Sequence, residues 1–252
     1  MNLIESLFRW IHVAAGIVWI GHLYFFNWVN SQFEPMLDAE TKKKVIPELR
    51  PRALYWFRWG AAFTWVTGVL LLLLVFYHYR NALADPTEGT FGFGALLVIA
   101  ITFGAVFLYD FLAKSVITDA QMQFWAGVVA AAVFVFLAEV IGDFGFRGTS
   151  IHLGAMFGTT MAFNVWFRIW PAQQKIITAI KNGQAPDAAL VALAGSRSKH
   201  NTYMSVPLVF MMIGQHATWA ASAPLIELPL IVLVGFYGTY HLYNHAPKVK
   251  GF

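Results

Sequence analysis

Runs of roughly twenty apolar residues recur along this chain, and they leave few folds open to it. One reads GAAFTWVTGVLLLLLVFY over 60–77 and another FGALLVIAITFGAVFLYDFLA over 93–113. A run of that length crosses a bilayer as a helix, and it lacks the alternation of a barrel strand. Charged residues make up 12% of the chain, about half of what a soluble domain carries. The expectation is an all-α, polytopic membrane bundle of about seven helices at about 5–29, 54–79, 91–113, 122–142, 149–170, 201–222 and 225–245. They form one membrane domain over 1–252, with no internal repeat and no soluble part. The first segment has no small-residue cleavage site and carries Arg9 and His12, so it reads as a retained helix.

Basic residues set the orientation. Lys42, Lys43, Lys44, Arg50, Arg52, Lys114, Lys175, Lys181, Arg197, Lys199, Lys248 and Lys250 fall in the first, third and fifth loops and the C-terminus, against Arg9, Arg80 and Arg147 on the other side. The N-terminus is expected outside and the C-terminus inside. The net charge of +4 therefore reports topology, and no nucleic-acid partner is expected. In the connector PAQQKIITAIKN at 171–182, Ile176, Ile177 and Ile180 share a helical face. It lies along the inner membrane surface or extends the fifth helix past Pro171. NGQAPDAALVALAGSRS at 182–198 reads as a solvated loop.

Without cysteine there is no disulfide, no thiolate metal site and no cysteine-attached haem, so any cofactor rests on histidine or oxygen ligands. The eight histidines sort by depth, with His12, His78, His152 and His216 toward the outer face and His22, His200, His241 and His245 toward the inner. A b-type haem needs two neutral imidazoles from facing helices and an apolar pocket. His12, His152 and His216 are the leading candidates to ligate haem iron, with glycines (Gly16, Gly21, Gly60, Gly154, Gly158) for close approach and Trp19, Trp59, Trp65, Phe163 and Trp166 as walls. His22 and His241, or His22 and His200, are candidates for a second haem, since ten residues on one helix separate His12 from His22 by about 15 Å. The plainer alternative for each is an interhelical hydrogen bond or a solvated position near the interface.

Glu139, deep in the fourth span, reads as a proton relay or substrate contact, or as a partner of Arg147. Asp110 and Arg58 read as paired or snorkelling charges. Asn27, Asn30, Asn164 and Asn201 are the remaining polar candidates, and Asn201 with Thr202 fits the start of the sixth helix beside His200.

The run IHLGAMFGTTMAFNVWFRIWPAQQKIITAIKNGQAPD at 151–187, with SRSKHNTYMSVPLVFMMIGQH at 196–216, resembles the membrane domain of the bacterial urate oxidase family, known as urate hydroxylase. WIHVAAGIVWIG at 10–21 and YWFRWGAAFTWVTGVLLL at 55–72 fit the same pattern, so the resemblance covers nearly the whole chain. Matching positions are His12, His152, Asn164, Pro171, His200, Asn201, Pro207 and His216. The resemblance implies a protein of the bacterial inner membrane that oxidises urate and passes electrons to cytochrome c. In that family another span and a c-type cytochrome domain follow. Here the sequence runs to Phe252 through NHAPKVKGF without CxxCH, which places the electron acceptor on a separate cytochrome or other redox partner. His22 is a departure from the pattern.

Two functions follow. One is a membrane oxidoreductase with one or two b-type haems, in which Glu139, His200 and Asn201 serve a small substrate such as urate. Because urate is an anion, Arg197 and Arg58 join them as candidate contacts. The other is a non-catalytic b-type cytochrome subunit that anchors a larger complex. The oligomeric state is open under both. A transporter is disfavoured, because no helix shows paired broken segments or a stripe of acids.

Overall fold

The protein is described by a computed structural model covering residues 3–78, 92–117, 119–214, 219 and 222–250. Every regular element among these residues is helical. Helix α1, Leu3–Tyr24, carries on through a π-helical stretch, Phe25–Asn30, and ends in a 3-10 turn at Glu34–Met36. Helix α2, Ala39–Leu71, likewise widens into π-helix over Leu72–Tyr77. Then come α3, Phe93–Ser115, and α4, Ala120–Phe136, the latter closing in π-helix at Leu137–Ile141. Helix α5, Phe146–Asn164, passes through Val165–Ile169 into α6, Trp170–Lys181, and α7, Ala188–Ile213, and α8, Pro224–His245, complete the chain.

Among the described residues, five stretches can cross a membrane by length and composition: Leu3–Met36, Ala39–Tyr77, Phe93–Ser115, Ala120–Ile141 and Pro224–Lys248. Side chains such as Phe107, Leu108, Phe111, Val129 and Phe136 are exposed on them, as suits helices facing lipid. The chain is a multispan membrane protein. Helices α5 and α7 overlap the expected spans 149–170 and 201–222 but are not among these five, and they bury the polar residues His152, Asn164, Arg197 and Asn201.

The helices differ from the sequence expectation mainly at their ends. Helix α2 begins at Ala39, well before 54, and runs through Pro47 and Pro51. Its start is fixed by Asp38, whose carboxylate accepts from the Thr41 backbone N–H at 2.9 Å and hydroxyl at 2.6 Å. Those bonds hold the carboxyl below its ordinary range. The expected loop at 182–198 is short, because Asp187 caps α7 through the Ala189 N–H at 2.8 Å and the Ala- and Leu-rich sequence continues as helix. Asn201 and Thr202 are therefore interior to α7 and do not cap it, and Arg197, expected in a loop, is 1% exposed. The dihedrals stay helical through Ile169 and Trp170, so 171–182 extends the fifth helix, as one of the two alternatives had it. Its apolar face is packed: Ala172 and Ile176 bury against Ala194, with Ile180 and Leu190 alongside. Pro171 and Pro224 sit in the first turns of α6 and α8, where the missing N–H costs nothing.

Two compact units divide the chain, Met1–Phe8 with Gly68–Thr160 and Met204–Tyr237, and Arg9–Thr67 with Met161–Tyr203 and Gly238–Phe252. Inside a bilayer, apolar burial does not by itself drive helices together, so close packing at small residues and interhelical hydrogen bonds carry the association. In the first unit, a Cβ on Gly154 would meet Met211 and Met212 at 3.0 and 2.7 Å, and one on Gly235 would meet Pro207 at 2.9 Å. In the second, a Cβ on Gly60 would meet the Trp19 backbone at 3.0 Å, so α1 and α2 touch main chain to main chain.

Candidate functional site

In the first unit the centre is His152, which is 0% exposed. Nδ1 donates to the Gly148 carbonyl one turn back on α5 at 2.7 Å. That bond selects the neutral tautomer whose Nε2 carries a lone pair, and the Tyr77 hydroxyl donates to it at 2.9 Å. The ring sits among Phe144, Tyr77 and Phe76, with centroids at 4.9, 5.7 and 6.3 Å. Two local devices build this enclosure. The π-helical end of α2 carries Tyr77, and the tight turn after α4, with Asp143 at a φ of 55°, brings the Phe144 N–H back to the Ala138 carbonyl at 3.0 Å.

Glu139 stands on the π-helical end of α4 and accepts from the hydroxyl of Thr149, which is one turn before His152 on α5. Thr149 and Ser150 are fully buried. The carboxylate is thereby tied to the same stretch of helix as the imidazole. Thr149, not Arg147, is the partner that the structure gives Glu139.

In the second unit His12 is half-buried on α1. Its Nδ1 donates to the Thr64 carbonyl at 2.9 Å, with the Thr67 hydroxyl at 3.2 Å, and among the described residues nothing bonds to Nε2. A cluster of polar groups lies elsewhere in this unit. Asn201 donates to the Met161 carbonyl at 2.9 Å and accepts from the Asn164 amide at 2.9 Å, and both asparagines are 0% exposed. Asn27 donates to Ser198 at 2.8 Å and accepts from the Tyr243 hydroxyl at 2.8 Å, joining α1, α7 and α8. Tyr203 stacks on Tyr243 at 5.8 Å, and Lys199 lies 5.3 Å over the same ring. Half-buried His200 directly follows Lys199 on α7, three residues after the buried Arg197.

The remaining candidates are spread more widely. Nδ1 of His22 donates to the Val18 carbonyl one turn back on its own helix at 2.7 Å, the same kind of bond that Nδ1 of His152 makes. His241 and His245 are exposed near the end of α8, and His78 is exposed just past the end of α2. His216 lies outside the described residues, as does Arg80. Asp110 pairs with Lys114 at 2.8 Å, a structural ion pair as expected. Tyr77, Thr149, Ser198 and Tyr243 belong to these networks and were not singled out by sequence reasoning. The only signal they offered was a polar tip within an apolar or small-residue run.

Haem ligation asks for an imidazole whose Nδ1–H is held by a carbonyl and whose Nε2 is turned away from that bond. His12 meets both conditions. His152 meets them with Tyr77 on its Nε2, so ligation there would displace one hydroxyl. Among the described residues no group of three or more histidines and carboxylates gathers into a site for a free metal ion.

A family model described as urate oxidase N-terminal matches residues 37–250. No curated protein and no solved structure matches the chain.

Proposed function

Since the chain belongs to the urate oxidase N-terminal family, we propose that it is a haem-bearing membrane oxidoreductase that takes electrons from urate or a related purine and passes them to a cytochrome partner. The observation that carries the reading is the pair of buried or half-buried imidazoles, His12 and His152, each with Nδ1–H held by a main-chain carbonyl. A b-type haem, when bound, would supply one-electron acceptance. His12, His152 and His216 are the leading candidates to ligate haem iron, and His22, His200 and His241 are the candidates for a second haem. Glu139 would hold or move a proton beside the Thr149 hydroxyl. Asn201, with His200 and the buried Arg197 on the same helix, would offer hydrogen-bond donors and positive charge to an anionic purine.

In this reading the protein lies in a bacterial inner membrane with its N-terminus outside and C-terminus inside, and a C-terminal reporter active only in the outer compartment would contradict that orientation. The function is tested by adding urate to purified, oxidised protein and following the visible haem bands. Reduction by urate is expected. Haem that a redox partner reduces and urate does not would assign the chain to an electron-transfer or anchor role instead.

A further inference from the structure

Arg58 on α2 is a cation held by aromatic faces. Its guanidinium carbon lies 4.0 Å over the Trp170 ring and 5.7 and 5.8 Å from the rings of Trp166 and Tyr55. The arrangement is fixed, because the Trp166 indole N–H donates to the Arg58 carbonyl at 3.1 Å and the same ring meets Trp59 edge-on at 5.5 Å. Among the described residues no carboxylate pairs with Arg58, and its Nε is enclosed without a partner. Its neighbours differ: Arg50 is paired with Glu34 and Arg52 with Glu48. Cation–π contacts orient and partly stabilise a guanidinium, but they supply no counter-charge. The cage orients the guanidinium and leaves its charge to be met from outside the chain.

Tyr55 also belongs to a second feature of the same unit. Between α1 and α2 runs a groove of about 650 Å³, walled by Trp10, Ala14 and Val18 on one side and Tyr55, Trp59 and Phe63 on the other. From Trp10 to Val18 it covers about 12 Å of helix rise, most of the roughly 15 Å depth of one leaflet. The groove is apolar along its length and has the cation beside its Tyr55 end. A small planar anion such as urate has no use for such a groove, and a neutral apolar molecule has none for the guanidinium.

We propose that this face binds an anionic phospholipid, with its phosphate on Arg58 and an acyl chain in the groove. An arginine beside Trp and Tyr where the uncharged run 59–77 of α2 begins is suited to the headgroup charge and to the depth of a headgroup.

The test uses the full chain reconstituted in nanodiscs of phosphatidylglycerol or of phosphatidylcholine, with thermal unfolding midpoints and native mass spectrometry of retained lipid as readouts. Phosphatidylglycerol should raise the midpoint of the parent chain and of Arg52→Gln, and Arg58→Gln should lose that increment and the retained anionic lipid. Should Arg58→Gln fail to fold, Ala14→Trp, which fills the groove and keeps the cation, must lose the increment in its place. Equal midpoints of the parent chain in the two lipids, an undiminished increment in the variant measured, or the same increment from urate added to phosphatidylcholine discs would each overturn the proposal.

Discussion

His152 and His12 are alike in sequence, each a histidine near the outer end of an expected span, yet their surroundings differ. His152 is sealed, with both ring nitrogens bonded and three aromatic rings around it, whereas His12 is half-buried with only Nδ1 bonded among the described residues. The first imidazole is part of the architecture as well as a candidate ligand. The second is held by two threonines and gives the fold little else. Depth alone does not distinguish these roles, because it says nothing about what the second nitrogen meets.

The largest effect should come from His152→Ala. It leaves a cavity among Phe76, Tyr77 and Phe144 and strips partners from a buried hydroxyl and carbonyl, so a loss of roughly 3 kcal/mol is expected in a thermal or denaturant melt of the haem-free protein. A loss under about 1 kcal/mol would break the comparison by putting His152 on the same footing as His12.

Tyr77→Phe keeps the ring and removes only the hydroxyl on Nε2. A cost of about 1 kcal/mol is expected, with His152 left readier to ligate, so haem uptake should be unchanged or greater. Reduced haem content in this variant would mean that the hydroxyl assists ligation and does not compete with it.

The smallest change in stability is expected for His12→Ala, about 0.6 kcal/mol, the average for an interhelical hydrogen bond in a membrane. If His12 is one of the haem ligands, its effect on the visible spectrum should nonetheless be large. A melt and a spectrum on the same samples separate the two readouts.

Much of the fold was legible. Apolar runs placed five of the seven expected spans among the described residues, and close approach held at Gly60 and Gly154, while a Cβ on Gly21 would meet nothing within 4 Å. The ends of helices were harder to read, because Pro47 and Pro51 look like boundaries and helix α2 runs through them. Capping by Asp38 and Asp187, local and easily missed, sets the starts of α2 and α7. Of the site, the histidines and asparagines stood out as polar residues in apolar helices. Their partners did not: Tyr77 closes the run LLLLVFY like any packing aromatic, and it finds His152 only because the end of α2 widens into π-helix. Tyr243 and Asn27 are far apart in sequence, and no local pattern links them.

The central claim is that imidazoles of this chain hold a b-type haem. A reduced-minus-oxidised spectrum with pyridine haemochrome quantification, on the purified parent chain and on His12→Ala and His152→Ala, tests it most directly. The account predicts b-type bands at one or two haems per chain, lost or converted in at least one of the two variants. A parent chain without haem, or a full spectrum retained in both variants, would contradict it.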